Sequence, residues 1–184
     1  GRYCVVAAAY AYEDGDIDGA EALLLGCVER YPTDPFVLTK TLSFYDTRGR
    51  RDTTNRLLRE AMTRHPTEPF FRVALAVRAR VTGDVEQGER LLREGTTHSN
   101  PYVALECWRA LTDHFKSLGD YAAAVEAANE VLQRSQNPSP NERFAFADLL
   151  GMAGENARAL AVAKGIDSEV LRDLVSARVL RNER

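Results

Sequence analysis

Five glycines set a period along this chain. Gly15, Gly49, Gly83, Gly119 and Gly154 each precede a charged residue, and a small residue follows five positions on: Ala20, Thr54, Gly88, Ala124 and Ala159. The steps between these glycines are 34, 34, 36 and 35 residues. Self-similarity at such a period is the mark of stacked supersecondary units, and it constrains the fold more than composition does. A second marker runs in phase. Tyr31-Pro32-Thr33-Asp34-Pro35-Phe36 recurs as His65-Pro66-Thr67-Glu68-Pro69-Phe70, 34 residues later. Ser99-Asn100-Pro101-Tyr102 and Asn137-Pro138-Ser139-Pro140 are degraded copies of it.

Between the markers the apolar spacing is helical. Leu23, Leu24, Cys27 and Val28 form one stripe, Leu57, Leu58, Ala61 and Met62 the next, and Val125, Ala128, Val131 and Leu132 a third. All seven prolines fall at junctions, where none breaks a helix. Each repeat glycine can take positive φ at a sharp turn between paired helices. No alternating β-branched run suggests a strand. The pattern predicts an all-α chain, with helices at 2–13 and 17–30, 34–48 and 51–64, 68–82 and 85–97, 101–118 and 121–134, and 140–152 and 155–164. An eleventh is expected over 168–181, with Asp167 or Ser168 as N-cap and an apolar stripe Val170, Leu171, Leu174, Val175 and Val179. Arg172, Asp173, Arg178 and Arg181 would give it the polar outer face that a terminal helix of an array needs. Docking into a groove or onto a partner is the other reading of this helix.

The chain resembles the tetratricopeptide repeat family, whose unit of about 34 residues is a helix–turn–helix. The likeness covers nearly the whole chain. The family's small residue at the close helix contact maps onto Ala20, Thr54, Gly88, Ala124 and Ala159, and its large apolar position onto Leu24, Leu58, Leu92, Ala128 and Ala163. Its proline maps onto Pro32 and Pro66. Departures are Trp108, present in the fourth repeat alone, and Gly95, where alanine is usual; the fifth repeat is the weakest. The resemblance implies a right-handed superhelical solenoid of antiparallel helix pairs. It is read as a single array with repeats at 1–34, 35–68, 69–104, 105–139 and 140–166, and a capping helix at 167–184. The chain opens in mid-helix pattern, which points to a fragment of a longer protein.

Composition excludes several classes. With 45% hydrophobic and 28% charged residues, the chain is neither disordered nor fibrous. The apolar run from Cys4 to Tyr12 is far shorter than the ~20 residues that span a bilayer, and no basic segment precedes an apolar stretch as in a secretory signal. Direct membrane insertion is not expected. A net charge of -3 argues against a nucleic-acid binder. Arg48, Arg50, Arg51, Arg56, Arg59 and Arg64 cluster locally, as a solvated helix face or as an anion-binding patch. Arginine supplies 21 of the 24 bases, a weak sign of a GC-rich bacterial genome.

Cys4, Cys27 and Cys107 are odd in number and widely spaced, which makes no disulfide framework. Each is expected as a free, buried apolar residue. That fits the reducing cytoplasm; an oxidising compartment, or a periplasmic or membrane-associated place within a longer protein, stays open. His65, His98 and His114 form no HExxH pattern, and no CxxC, phosphate loop or nucleophile elbow occurs. No catalytic residue, metal site or cofactor is expected, so the chain is read as no enzyme.

Stacked helix pairs build an extended concave surface. The resemblance implies that the first helix of each pair lines it. The positions concerned are Arg2, Val5, Ala9 and Tyr12, then Phe36, Thr39, Ser43 and Asp46, then Phe70, Val73, Val77 and Arg80. Glu106, Arg109, Asp113 and Lys116 follow, then Asn141, Phe144 and Asp148. Tyr12, Phe36, Phe70, Val73 and Val77 read as an apolar strip that suits a helical or extended segment. Arg109, Asp113 and Lys116 are charges that could orient it. Phe36 and Phe70 can equally pack between repeats, and the charges can simply pair on an exposed face. The family's carboxylate clamp is mostly missing, since its positions hold Val5, Ala9, Lys40 and Ala74, so binding of acidic chaperone C-terminal tails is not expected. The leading expectation is a non-catalytic scaffold holding a protein or peptide partner in its groove, with candidate residues Tyr12, Phe36, Thr39, Ser43, Phe70, Val73, Val77, Arg80, Arg109, Asp113 and Lys116. The alternatives are a substrate-positioning region of a multidomain enzyme, such as a glycosyl- or sulfotransferase, and a self-assembling module.

Overall fold

The structure, a computed structural model, describes residues 1–182. Among the described residues there are eleven helices and no strand. They are α1 (Arg2–Glu13), α2 (Ile17–Arg30), α3 (Pro35–Thr47), α4 (Arg51–Arg64), α5 (Pro69–Val81), α6 (Val85–Thr96), α7 (Pro101–Leu118), α8 (Tyr121–Arg134), α9 (Pro140–Met152), α10 (Asn156–Lys164) and α11 (Glu169–Asn182). Each lies within a residue of the range expected from the sequence. No described helix is long and apolar enough to cross a membrane.

The two sequence markers are the helix boundaries. All five repeat glycines have positive φ, between 71° and 94°, and no other described residue does. A side chain there would force an L-residue into a region it rarely adopts. The charged residue after the glycine starts the next helix. The Gly19, Gln87 and Ala123 N–H groups donate to the carboxylates of Asp16, Asp84 and Asp120 at 2.9, 3.1 and 3.1 Å. Each bond satisfies a donor that the first helical turn leaves unpaired. Arg50 and Glu155, the same position in the second and fifth repeats, make no such cap. Pro35, Pro69, Pro101 and Pro140 open α3, α5, α7 and α9, where a missing N–H costs nothing.

The chain forms two compact units, Gly1–Leu75 and Ala76–Arg184. In the first, α1 packs on α2 and α3, and α3 packs on α2 and α4. Val5, Cys27 and Val37 are buried together, with Cys4, Val28 and Tyr31 against them. Tyr45 is buried, and its hydroxyl donates to Glu21 at 3.1 Å. Burial and this carboxylate push its pKa up to about 12. Arg50 pairs with the other oxygen of Glu21 at 2.6 Å.

The cysteine expectation is corrected here. Cys4 and Cys27 form a disulfide, with Cα atoms 5.8 Å apart, and Cys107 is buried outside it. Their separation of 23 residues looks wide along the chain. The turn at Gly15 folds α2 back along α1, however, and brings the start of one helix beside the end of the other.

In the second unit α7 packs on α6 and α8, and α9 packs on α8, α10 and α11. The small-residue positions Ala20 and Thr54 of the first unit and Gly88, Ala124 and Ala159 of the second are all buried, and so are Leu24, Leu58, Leu92, Ala128 and Ala163 four residues later. The α11 stripe is corrected in part. Val175 and Val179 are buried, but Val170 and Leu174 are exposed, together with Leu180. Arg172 and Arg178 meanwhile serve packing: Arg172 donates to the Ile166 carbonyl at 2.7 Å, and Arg178 holds Asp148 at 2.8 Å.

His114 of α7 is buried, and its Nε2 has no partner. Burial holds its pKa below the ordinary value, aided by Arg80 and Arg93 and opposed by Glu89. The unfolded chain takes up this proton near pH ~6.5 and the folded chain only at lower pH. His114 therefore contributes its full stability above the unfolded pKa and loses it as pH falls toward the folded one. Urea unfolding across this window should show wild type losing more stability on acidification than His114→Leu. Equal slopes would remove His114 as the cause.

Candidate partner-binding faces

In the first unit the exposed side of α1 and α3 carries an ordered set of rings and cations. Phe36, Lys40, Phe44 and Arg48 are four residues apart, so they follow one ridge of α3 and its C-cap. The Arg2 and Lys40 head groups each lie 5.8 Å from the Phe36 ring centre. Arg48 lies 4.2 Å from that of Phe44 and 4.9 Å from that of Tyr12. Tyr12 meets Phe44 edge-on at 6.1 Å. A cation over a ring is attracted by the ring's negative face and keeps its outward donors free.

Of the sequence candidates in this unit, Tyr12 and Phe36 are 49% and 38% exposed, which makes them surface rather than buried inter-repeat residues. Thr39 and Ser43 lie on α3 beside the ridge, Thr39 exposed. Phe70 and Val73 belong to α5, and Phe70 packs edge-on against the buried Phe71 at 5.7 Å. Asp46 is half-buried and accepts from the Thr54 hydroxyl at 3.0 Å.

In the second unit, α7, α8 and α9 enclose a cleft of about 260 Å³. Ala128, Val131, Leu132, Ala145 and Phe146 give it apolar walls, and Arg109, Thr112, Asp113 and Glu142 line it with polar groups. Arg109 bridges two helices. It bonds Glu106 within α7 and Glu142 of α9, the latter at 2.6 Å. Glu142 also closes the capping box of α9, where it accepts from the Ser139 N–H at 2.8 Å. That bond, opposed by burial and helped by Arg109, keeps the Glu142 pKa below the usual carboxylate range. Burial works against the Arg109 charge, but the bonds from Glu142 and Glu106 outweigh it and raise its pKa. The guanidinium is thus a fixed wall of the cleft.

Asp113 lines the same cleft as Arg109, while Lys116 is exposed outside it. Val77 is exposed and Arg80 half-buried, and neither lines this cleft. Sequence reasoning named Lys40 at a clamp position and Arg48 in a basic cluster without joining them to the Phe36 ridge, and it missed Phe44 and Glu142. The four-residue ridge through Phe36 and the Ser139-x-x-Glu142 capping pattern were the signals for them.

No protein-family model matches this chain. No curated protein matches it by sequence. Solved structures do. Nearly identical TPR-like repeats from Podosopora anserina superpose with a TM-score of 0.51 at 16% identity, covering 98% of this chain and 96% of that one. A thermophilic TPR protein from Thermus thermophilus gives 0.50 at 18% identity, covering 97% of this chain and 98% of that one. The likeness is one of fold: the chain has a helical-repeat fold of the tetratricopeptide type.

Proposed function

We propose that this chain is a non-catalytic interaction scaffold that holds a segment of a protein partner against the first helices of its repeats. The observation that carries this reading is the cleft of the second unit. Its apolar walls can take an aliphatic or aromatic side chain, and Arg109 and Asp113 at its edge can bond the partner's backbone. Few, fixed polar groups around an apolar hollow give orientation without requiring chemistry. The helical-repeat fold suits such a role, because stacked helices offer long surfaces. The Cys4–Cys27 bond favours an oxidising compartment over the cytoplasm expected from sequence.

Ala145 is exposed at the cleft, so Ala145→Trp should fill it and leave the fold intact. In affinity capture from source lysate, the proteins retained by wild type should be lost with Ala145→Trp while far-ultraviolet dichroism is unchanged. Retention of the same proteins by both would rule the cleft out.

A further inference from the structure

The ring-and-cation ridge of the first unit has a chemistry of its own. Arg50, Arg56 and Arg64 of this unit are ion-paired, at 2.6, 3.0 and 3.3 Å. Arg2, Lys40 and Arg48 rest on aromatic faces instead, and among the described residues none of the three has a carboxylate partner. Two acids that flank the ridge residues of α3 are occupied. Asp34 accepts from the Phe36 N–H at 2.9 Å as the cap of α3, and Asp46 accepts from Thr54. The face therefore offers three uncompensated positive charges, separated by apolar rings.

We propose that this face binds an acidic, extended protein segment, with carboxylates on Lys40 and Arg48 and apolar side chains against Phe36 and Phe44. This deepens the scaffold reading and rests on it. Lys40 and Arg48 stand eight residues apart on α3 and its C-cap, which is about 12 Å along a helix. An extended chain rises about 3.3 Å per residue, so carboxylates about four residues apart match the pair. Thr39 and Ser43 are short, which lets a backbone lie close to α3. No free terminus is called for, since of the clamp positions Val5, Ala9, Lys40 and Ala74 only Lys40 can bond a carboxylate through its side chain.

Charge and stacking both favour a protein over a nucleic acid. Single-stranded nucleic acids bind through open ring faces on which bases stack. Here Arg2 and Lys40 lie over Phe36, and Arg48 lies over Phe44 and Tyr12. The formal net charge of -3 also repels a long polyanion, while a short acidic segment meets only the local cations.

The test uses a short synthetic peptide with blocked termini, with Glu at every fourth position and Leu and Ser between, read by fluorescence anisotropy. Its Gln counterpart should bind about tenfold more weakly, and affinity should fall with added salt. The Lys40→Glu/Arg48→Glu variant should lose the Glu peptide and gain the Lys counterpart. Lys40→Glu alone, at an exposed helix position, should weaken binding without touching the fold. Equal binding of the Glu and Gln peptides, no binding of either, or tighter binding of oligothymidylate would overturn the proposal. These outcomes leave the Ala145→Trp capture result untouched, so failure here is distinguishable from failure of the scaffold reading.

Discussion

Cys4→Ser is expected to lower the unfolding free energy of the oxidised protein by ~3 kcal/mol. The bond spans 23 residues and ties the start of α1 to the end of α2. In the unfolded chain it restrains the loop that contains both helices, and that restraint is lost with either cysteine. Cys4 is the better site to change, because it is only half-buried, whereas a serine at the fully buried Cys27 would add an unpaired hydroxyl. Guanidinium unfolding of wild type should show the same loss on adding reductant, and Cys4→Ser should not respond to it. Cys107→Ser should respond as wild type does, since Cys107 takes no part in the disulfide. A wild type indifferent to reductant would show that the pair is not bonded in solution. The proposed acidic-segment face has a stake in this result, because α1 carries Arg2 and Tyr12.

Gly88→Leu is expected to cost about 3 kcal/mol, and Gly26→Ala to gain about 1 kcal/mol. Both glycines lie inside helices, so intrinsic propensity favours replacing either. Their surroundings decide otherwise. A Cβ at Gly88 would sit 2.8 Å from the Ala76 carbonyl oxygen and 3.4 Å from His114, where backbone cannot yield cheaply. At Gly26 it would meet nothing within 4 Å. Gly88→Ala should fall between, with the gain in helix propensity offset by the overlap. Thermal unfolding of the three variants gives the order directly, and a stable Gly88→Leu would mean that α6 approaches its neighbour less closely.

The contrast between Gly26 and Gly88 is the contrast between what one dimension and three dimensions specify. The helix ends were legible because they depend on neighbours in sequence. A positive-φ glycine, an aspartate cap and a proline at the first helical position act within a few residues, whatever the rest of the chain does. The buried small positions were legible too, because their period of 34 to 36 residues repeats one packing requirement. The bond between Cys4 and Cys27 was not, since along the chain these are distant residues and only the antiparallel return of α2 makes them neighbours.

The candidate faces divide in the same way. Tyr12, Phe36 and Arg109 could be placed on first helices from the repeat alone. Which cations keep a free charge could not, because that depends on whether a carboxylate from another helix reaches them. Glu21 of α2 reaches Arg50 and Glu142 of α9 reaches Arg109, whereas Arg2, Lys40 and Arg48 meet rings. The outward turn of Val170 and Leu174 on α11 was likewise hidden in a helix apolar on more than one side. The sequence alone determined the helices, their pairing and the small-residue seams, through interactions local to each repeat. The tertiary structure decided the disulfide, the pairing of each charge and the face that α11 buries, because those depend on distances between helices that no local rule specifies.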